Sequence, residues 1–347
     1  MSGLPRWRLL ARLDAQIASL EQEQTALDLE LADLEAELAV VQQRGPHVPS
    51  QRRLLLAWWR DCFIRGRHWT DDPVHFFENK LSSYRWARSH GIDHPPLHGV
   101  WATIEEIPWD DLPDEVVVKC AHSHASRGVL PMRRVPGGWQ VVTEQRIQTS
   151  ADLAARLATL VEGHRRFAGP FFAEALLTDP HDPDRKPMEV KSFTYDGEIS
   201  YVVLRHSLDH HDTGAVRFRY LTEDLEPIEA AYRNTVSDHT LPIPDDLPRA
   251  VAAIRTLSSA TRRPCARVDL YLNEGRLVFG ELTALPNRWS VLAPAWDERA
   301  GALWEAAERR ITADALAGRG LLAEWGDGAR TLLRSEDTWL GGVPGYE

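Results

Sequence analysis

Residues 267–287 read Arg-Val-Asp-Leu-Tyr-Leu-Asn-Glu-Gly-Arg-Leu-Val-Phe-Gly-Glu-Leu-Thr-Ala-Leu-Pro-Asn, two β-like runs joined at Asn-Glu-Gly. A three-residue loop Asn273-Glu274-Gly275 pairs Leu272 with Arg276, sets Asp269 opposite Phe279 and sets Arg267 opposite Glu281. Opposed residues share a face, as do residues two apart on one strand, so Arg267, Asp269, Glu281 and Thr283 are predicted to project together. Two carboxylates on one face can share a hard cation such as Mg²⁺, whose shell is completed by phosphate oxygens and water. Taken alone, the pair is equally a surface hairpin with solvated acids.

The composition narrows the setting. At 347 residues the chain predicts a body of two or three subdomains. Its 43% apolar and 26% charged content is that of a folded globular protein. A formal charge of −11 argues against a general nucleic-acid binder. Cys62, Cys120 and Cys265 form no CxxC or His-linked metal spacing, which points to reduced thiols and a cytoplasmic location. The N-terminus has no long apolar signal-like run, and no apolar stretch approaches the roughly 20 residues of a membrane helix.

Leu10, Leu13, Ile17, Leu20, Leu27, Leu31, Leu34, Leu38 and Val41 follow alternating three and four spacing, with Gln24 in the polar seam position and a stop at Gly45-Pro46. This predicts a coiled coil over 6–44 and self-association as a homodimer, with pairing against another helix of the chain as the alternative. Residues 47–72 predict a packing helix, and the Pro-rich stretch 91–115 a connector. A strand follows over Glu115–Lys119, then a helix over 150–167 capped by Thr149 or Ser150 and a strand over Pro170–Leu177. Beyond these the sequence predicts a hairpin over 187–206 turning at Asp196-Gly197, a helix over 245–260, a strand from Cys265 and helix over 297–335. The fold class read from this order is α+β.

Several residues outside the hairpin could carry chemistry. Lys119 ends an apolar run and precedes the small, polar segment His122–Gly128, which suits a phosphate or a strand end in solvent. Glu174 could face a purine edge or form a salt bridge. Glu189 and Lys191 alternate on one strand and could share a cleft or simply pair across strands. His206, His210 and His211 with Asp209 and Asp212 match no zinc spacing and read as a loop. The P-loop, GxGxxG and GxSxG motifs are absent.

Taken in order, Asn79-Lys80, Leu112-Pro113-Asp114, the run Val-Val-Lys-Cys-Ala-His ending at His122, and Ala-Glu-Ala-Leu-Leu around Glu174 resemble the ATP-grasp enzymes. The likeness continues through Glu189-Val-Lys-Ser-Phe, Arg217 with Tyr220, and the 267–283 hairpin, and is nearest to the teichuronopeptide-biosynthesis (TupA-like) ATP-grasp family. It covers roughly residues 75–300. The resemblance implies two α+β subdomains clasping ATP: a coiled coil at 1–45, a helical segment at 46–115, a small subdomain with a phosphate lid at 116–180, a large one with the metal site at 181–300, and a helical C-terminal segment at 301–347.

It also implies roles for individual residues. Lys80 and Lys119 would contact ATP phosphates, under a lid containing His122, Ser126, Arg127 and Gly128. Glu174, Leu176 and Leu177 would recognise adenine, and Asp179 the ribose. Glu189 would lie in the same nucleotide site, and Lys191 along the phosphates. Asp269 and Glu281 would hold Mg²⁺, with Thr283 where the wider superfamily has Asn, and Arg267 would stabilise the reacting acyl group together with Lys119. Arg205, Arg217 and Arg288 are candidates for the substrate acid. The implied activity is ATP- and Mg²⁺-dependent ligation of a carboxylate to an amine, the acceptor being an amino acid, a peptide or an amino-bearing intermediate. A phosphotransferase that stops at phosphorylation and a nucleotide-binding scaffold without turnover remain alternatives. The lid is poorer in glycine than the family pattern.

Overall fold

A computed structural model describes residues 24, 48–64, 77, 79–122, 128–144, 146–162, 169–179, 181–182, 184–207, 216–273, 275–283 and 291–328, the side chains of 59 and 61–64 excepted. The coiled-coil prediction for 6–44, apart from residue 24, lies outside these residues, as do Ser126, Arg127, Arg288 and the histidines at 210 and 211.

Among the described residues two six-stranded antiparallel sheets make the body. The smaller subdomain is built from β1 (Leu97–Trp101), β2 (Glu115–Cys120), β3 (Val129–Val135), β4 (Gly138–Val141), β5 (Ile147–Gln148) and β6 (Phe171–Ala175), in the order β1-β6-β2-β3-β4-β5. The larger contains β7 (Met188–Tyr195), β8 (Glu198–Ser207), β9 (Val216–Leu221), β10 (Pro227–Ile228), β11 (Ala266–Asn273) and β12 (Arg276–Thr283), ordered β10-β9-β8-β7-β11-β12. Among the described residues five helices accompany them: α1 (Gln51–Ile64), α2 (Lys80–Ser89), α3 (Ser150–Val161), α4 (Leu247–Ala260) and α5 (Pro294–Leu316). Among the described residues no helix is long and apolar enough to cross a membrane. Cys120 and Cys265 are buried free thiols.

Strand alternation sorts each sheet into a core face and a cleft face. In β2, Val116, Val118 and Cys120 turn into a core with Leu130, Met132, Phe171 and Ala173, covered by Leu153 and Leu157 of α3. That helix starts where the sequence predicts, because the Thr149 side chain accepts from Asp152 N–H while the Asp152 carboxylate accepts from Thr149 N–H. In the larger sheet, Val190, Val202, Leu204, Val268, Leu270 and Phe279 pack against Leu247, Ala250, Ile254 and Leu257 of α4. On the other face Phe193, Tyr195 and Tyr201 are covered by α1 and α5 through Leu55, Ala300 and Trp304. The helices cover one end of that face, which leaves the Glu189, Lys191 and Asp269 end to the cleft.

The structure corrects several sequence expectations. Residues 97–101 form β1 and pair with Phe171–Glu174, so the smaller sheet reaches back before residue 116. α5 runs through the 300/301 boundary and stops at Leu316, where residues 317–328 leave the helix. That segment crosses two helix ends: the Glu324 carbonyl accepts from Trp86 Nε1 at 2.7 Å, and Glu324 N–H donates to the Ala260 carbonyl at 2.8 Å. Gly328 N–H donates to the Ser89 carbonyl at 3.0 Å.

The hairpin register also differs. Asn273 pairs with Arg276, so the connection has two residues, and Leu270 pairs with Phe279 rather than Asp269. Continued regularly, that register would set Glu281 beside Val268 on the core face. A bulge at Gly280 absorbs one residue, so Asp269 stands directly opposite Glu281 and Arg267 opposite Thr283. The shared face expected of these four residues is present, through a shorter turn plus a bulge.

Candidate nucleotide and metal cleft

The cleft face of β2 carries Val117 and Lys119. Its partners are Glu174 opposite Val117 and Phe172 opposite Lys119 on β6, with Pro131 and Val129 across from them on β3. Lys119 donates to Glu174 Oε1, and Tyr84 of α2 donates to Glu174 Oε2 at 2.8 Å. Glu174 is only 3% exposed and Tyr84 1%, so both carboxylate oxygens are satisfied in a dry environment. Burial first, then the Glu174 charge, pushes the Tyr84 hydroxyl well above its ordinary range and keeps it a donor.

These groups line a pocket of ≈ 120 Å³ with Leu176, Leu177, Lys186, Pro187 and Tyr271. Leu176 and Leu177, predicted for adenine, are there. Tyr84, Lys186 and Tyr271 were not anticipated. Two had a sequence signal: Tyr84 is one helical turn after Lys80, and Tyr271 lies two residues after Asp269 on the same strand face. Lys186 sits in an irregular connection with no periodicity. Asp179 is not among the lining residues; its carboxylate accepts from His181 N–H at 2.8 Å and lies 3.3 Å from His206 Nε2.

Lys80 opens α2 beside this pocket. Asn79 caps the helix by accepting from Ser82 N–H at 3.1 Å, and Lys80 N–H donates to the Ala121 carbonyl at 2.9 Å. The start of α2 is thereby tied to the strand end after Lys119, and the Asn79 side chain contacts His122 Nε2 at 3.2 Å. Burial lowers the Lys80 pKa, opposed by the Glu281 and Glu174 charges and reinforced by Lys119. Gly128 closes the other end of this loop, its carbonyl accepting from Cys120 N–H at 3.0 Å.

The larger sheet supplies the acids. Arg267 forks onto Asp269 through Nε to Oδ1 at 2.7 Å and Nη2 to Oδ2 at 2.8 Å, and reaches Glu281 Oε1 at 2.6 Å. Lys191, opposite Asp269 on β7, donates to Asp269 Oδ2 at 2.6 Å and lies 3.0 Å from Glu189 Oε2. Arg205 lies 3.0 Å from the same Glu189 oxygen. Thr283 Oγ1 is 3.5 Å from Glu281 Oε1. Asp269 is 4% exposed. Burial alone would raise its pKa, but Arg267 and Lys191 outweigh it and hold the carboxyl down at about 2. Burial likewise opposes the Lys191 charge, and Asp269 and Glu189 more than restore it.

Gly280 has a second part in this arrangement. A Cβ there would stand 3.0 Å from a Tyr271 ring carbon and 3.1 Å from the Asp269 carbonyl. The missing side chain lets the Tyr271 ring lie against the bulge. Arg217 does not join the site. Its neighbour Phe218 is the residue opposite Arg205, so Arg217 lies on the other face, where Asp238 and Thr240 take its guanidinium.

Among the described residues no three His, Cys, Asp or Glu side chains cluster as a metal cage. Asp269 and Glu281 instead form a two-carboxylate set with the Thr283 hydroxyl beside it. Such hard oxygens suit Mg²⁺ when phosphates and water complete the shell.

The model of the TupA-like ATP-grasp family matches residues 63–303. No curated protein matches the sequence. Similar solved structures include D-alanine–D-alanine ligase from Bacillus anthracis complexed with ATP, at 16% identity over 69% of this chain and 69% of that one, TM-score 0.41. VanG D-Ala:D-Ser ligase from Enterococcus faecalis matches at 12% identity over 68% and 62%, TM-score 0.41. The Chryseobacterium gregarium RiPP-associated ATP-grasp ligase, in complex with ADP and a leader and core peptide, matches at 11% over 69% and 61%, TM-score 0.36.

Proposed function

The chain belongs to the TupA-like ATP-grasp family, and from that membership we propose an ATP- and Mg²⁺-dependent ligase that joins a carboxylate to an amine through an acyl phosphate. The observation that carries this reading is the Asp269–Glu281 pair bridged by Arg267 and neutralised by Lys191, in one cleft with Lys80 and Lys119.

Adenine would lie in the pocket under Val117 and Pro131, over Tyr271 and beside Leu176 and Leu177. Lys80, Lys119 and Lys191 would then meet the phosphates, below a lid running from His122 through Ser126 and Arg127 to Gly128. Mg²⁺ held by Asp269 and Glu281, with Thr283 adjacent, would supply charge neutralisation on the phosphate oxygens. The substrate carboxylate oxygen attacks the γ-phosphorus as the bond to the β-phosphate oxygen breaks and ADP leaves. The amine nitrogen then adds to the acyl carbon, loses its proton and expels phosphate, leaving an amide. Arg267 would stabilise the charge that develops on the acyl group in both steps, so the chemistry asks for positioning and cations rather than a protein nucleophile. Arg205, held by Glu189 on the same face, and Arg288 are the substrate-carboxylate candidates.

Coupled measurement of ADP and phosphate tests the proposal. Release from ATP and Mg²⁺ is expected to require both an acid and an amine from an amino-acid and short-peptide pool. ADP formation that ignores the amine would favour phosphotransfer, and nucleotide binding without ADP would favour a scaffold. We also place the enzyme in the cytoplasm, in biosynthesis of a peptide, secondary metabolite or cell-surface polymer, as a homodimer paired through the heptad seam of residues 6–44. Removing residues 1–45 should convert a dimer to a monomer by light-scattering mass; an unchanged mass would refute that pairing.

A further inference from the structure

Lys186 lines this cleft without a close acidic partner among the described residues. Its side chain lines the pocket with Lys119, Leu177 and Tyr271. Three cations facing the same space are bound: Lys119 to Glu174, Lys191 to Glu189 and Asp269, and Arg205 to Glu189. Lys186 forms no salt bridge with any described carboxylate. Burial lowers its pKa, and although Glu189 favours the charged form, Arg205, Lys119 and Lys191 oppose it. An ammonium drawn out of water toward three other cations is costly unless an anion compensates it.

Its place along the sheet identifies that anion. Tyr271 is opposite Glu189, and Asp269 is opposite Lys191. From Asp269 to Tyr271 the strand advances two residues, roughly 7 Å, away from the metal acids and toward the base pocket. Lys186 precedes Glu189 in the chain and so enters from the base side of Tyr271, where its four-carbon stem can reach back toward the sugar. The substrate acid, which must meet the γ-phosphate near Arg267, belongs at the opposite end.

We propose that Lys186 binds the α-phosphate, the one joined to the ribose, and so makes the pocket select adenine nucleotides over adenosine. This rests on the ATP reading above and assigns that site a residue outside the lid and the metal face.

Calorimetric titration of the full-length protein with adenosine, AMP and ATP tests it, because AMP carries only the phosphate in question. Lys186→Gln is expected to weaken AMP by about 10- to 100-fold, the size of a charge-assisted hydrogen bond, and to leave adenosine unchanged. Lys186→Arg should recover most of the AMP affinity. AMP binding to Lys186→Gln at wild-type strength would overturn the assignment. So would a parallel loss of AMP and adenosine, which marks a structural role. Wild-type protein that binds none of the three ligands would instead refute the ATP reading on which the assignment stands.

Discussion

Asp269→Asn is expected to lower ATP turnover by about 10²- to 10³-fold, the scale for losing one preorganised electrostatic group at a reacting centre. The substitution keeps the shape and removes the charge that Arg267 and Lys191 share. Two buried cations then face each other across a neutral amide, which should cost of the order of 3 kcal/mol of stability. A pH series separates this charge from others. The folded-state pKa of Asp269 is depressed, so its contribution is present above the unfolded value of 3.8 and is lost as pH falls toward about 2. The stability gap between wild type and Asp269→Asn should therefore shrink from about pH 4 to about pH 2. Wild-type turnover in the variant, or a gap that stays constant through that window, would remove Asp269 from the site.

Arg267→Met should be comparably severe for a different reason. Arg267 ties Asp269 to the Glu281 that faces it across the hairpin. Without the guanidinium two carboxylates confront each other with Lys191 on one side only, at a cost again of the order of 3 kcal/mol. A divalent cation can then do structurally what Arg267 did. Added Mg²⁺ is expected to raise the melting temperature of Arg267→Met more than that of wild type, while turnover stays low. If Mg²⁺ moved both proteins equally, the Asp269–Glu281 pair would not be a metal site. Each variant carries its own control: the first keeps the fork without its target, the second the target without its fork.

The face shared by Arg267, Asp269, Glu281 and Thr283 was legible because alternation along a strand is insensitive to the exact turn, provided the pairing keeps odd positions opposite odd ones. The register was not legible. A two-residue turn with a bulge and a three-residue turn without one give the same faces, and the choice depends on how Gly280 packs against Tyr271, which is a tertiary contact. Lys119 and Glu174 could be found as strand-end charges and Lys191 by its alternation with Glu189, while Lys80 came only through the family resemblance. Their partners could not, because Tyr84 and Glu174 are 90 residues apart and Lys191 and Asp269 are 78 apart. Arg217 shows the limit from the other side: an attractive charge next to an aromatic, one position off the face that faces the cleft. β1 escaped notice because its residues, Leu-His-Gly-Val-Trp, lack the alternation and length of a strand signal.

The segment that leaves α5 reaches the cleft without touching it. α2 is tied at its first residue to Ala121, beside Lys119, and at its last turn to residues 324–328. The Lys80 end of that helix therefore hangs between the smaller sheet and the C-terminal segment, like a beam fixed at both ends. Cutting the chain after Leu316 removes one support of a lysine more than 200 positions earlier in the sequence. For anyone trimming or tagging this protein, the C-terminal boundary should fall no earlier than Gly328, because a form cut before it loses the contacts that hold the last turn of α2.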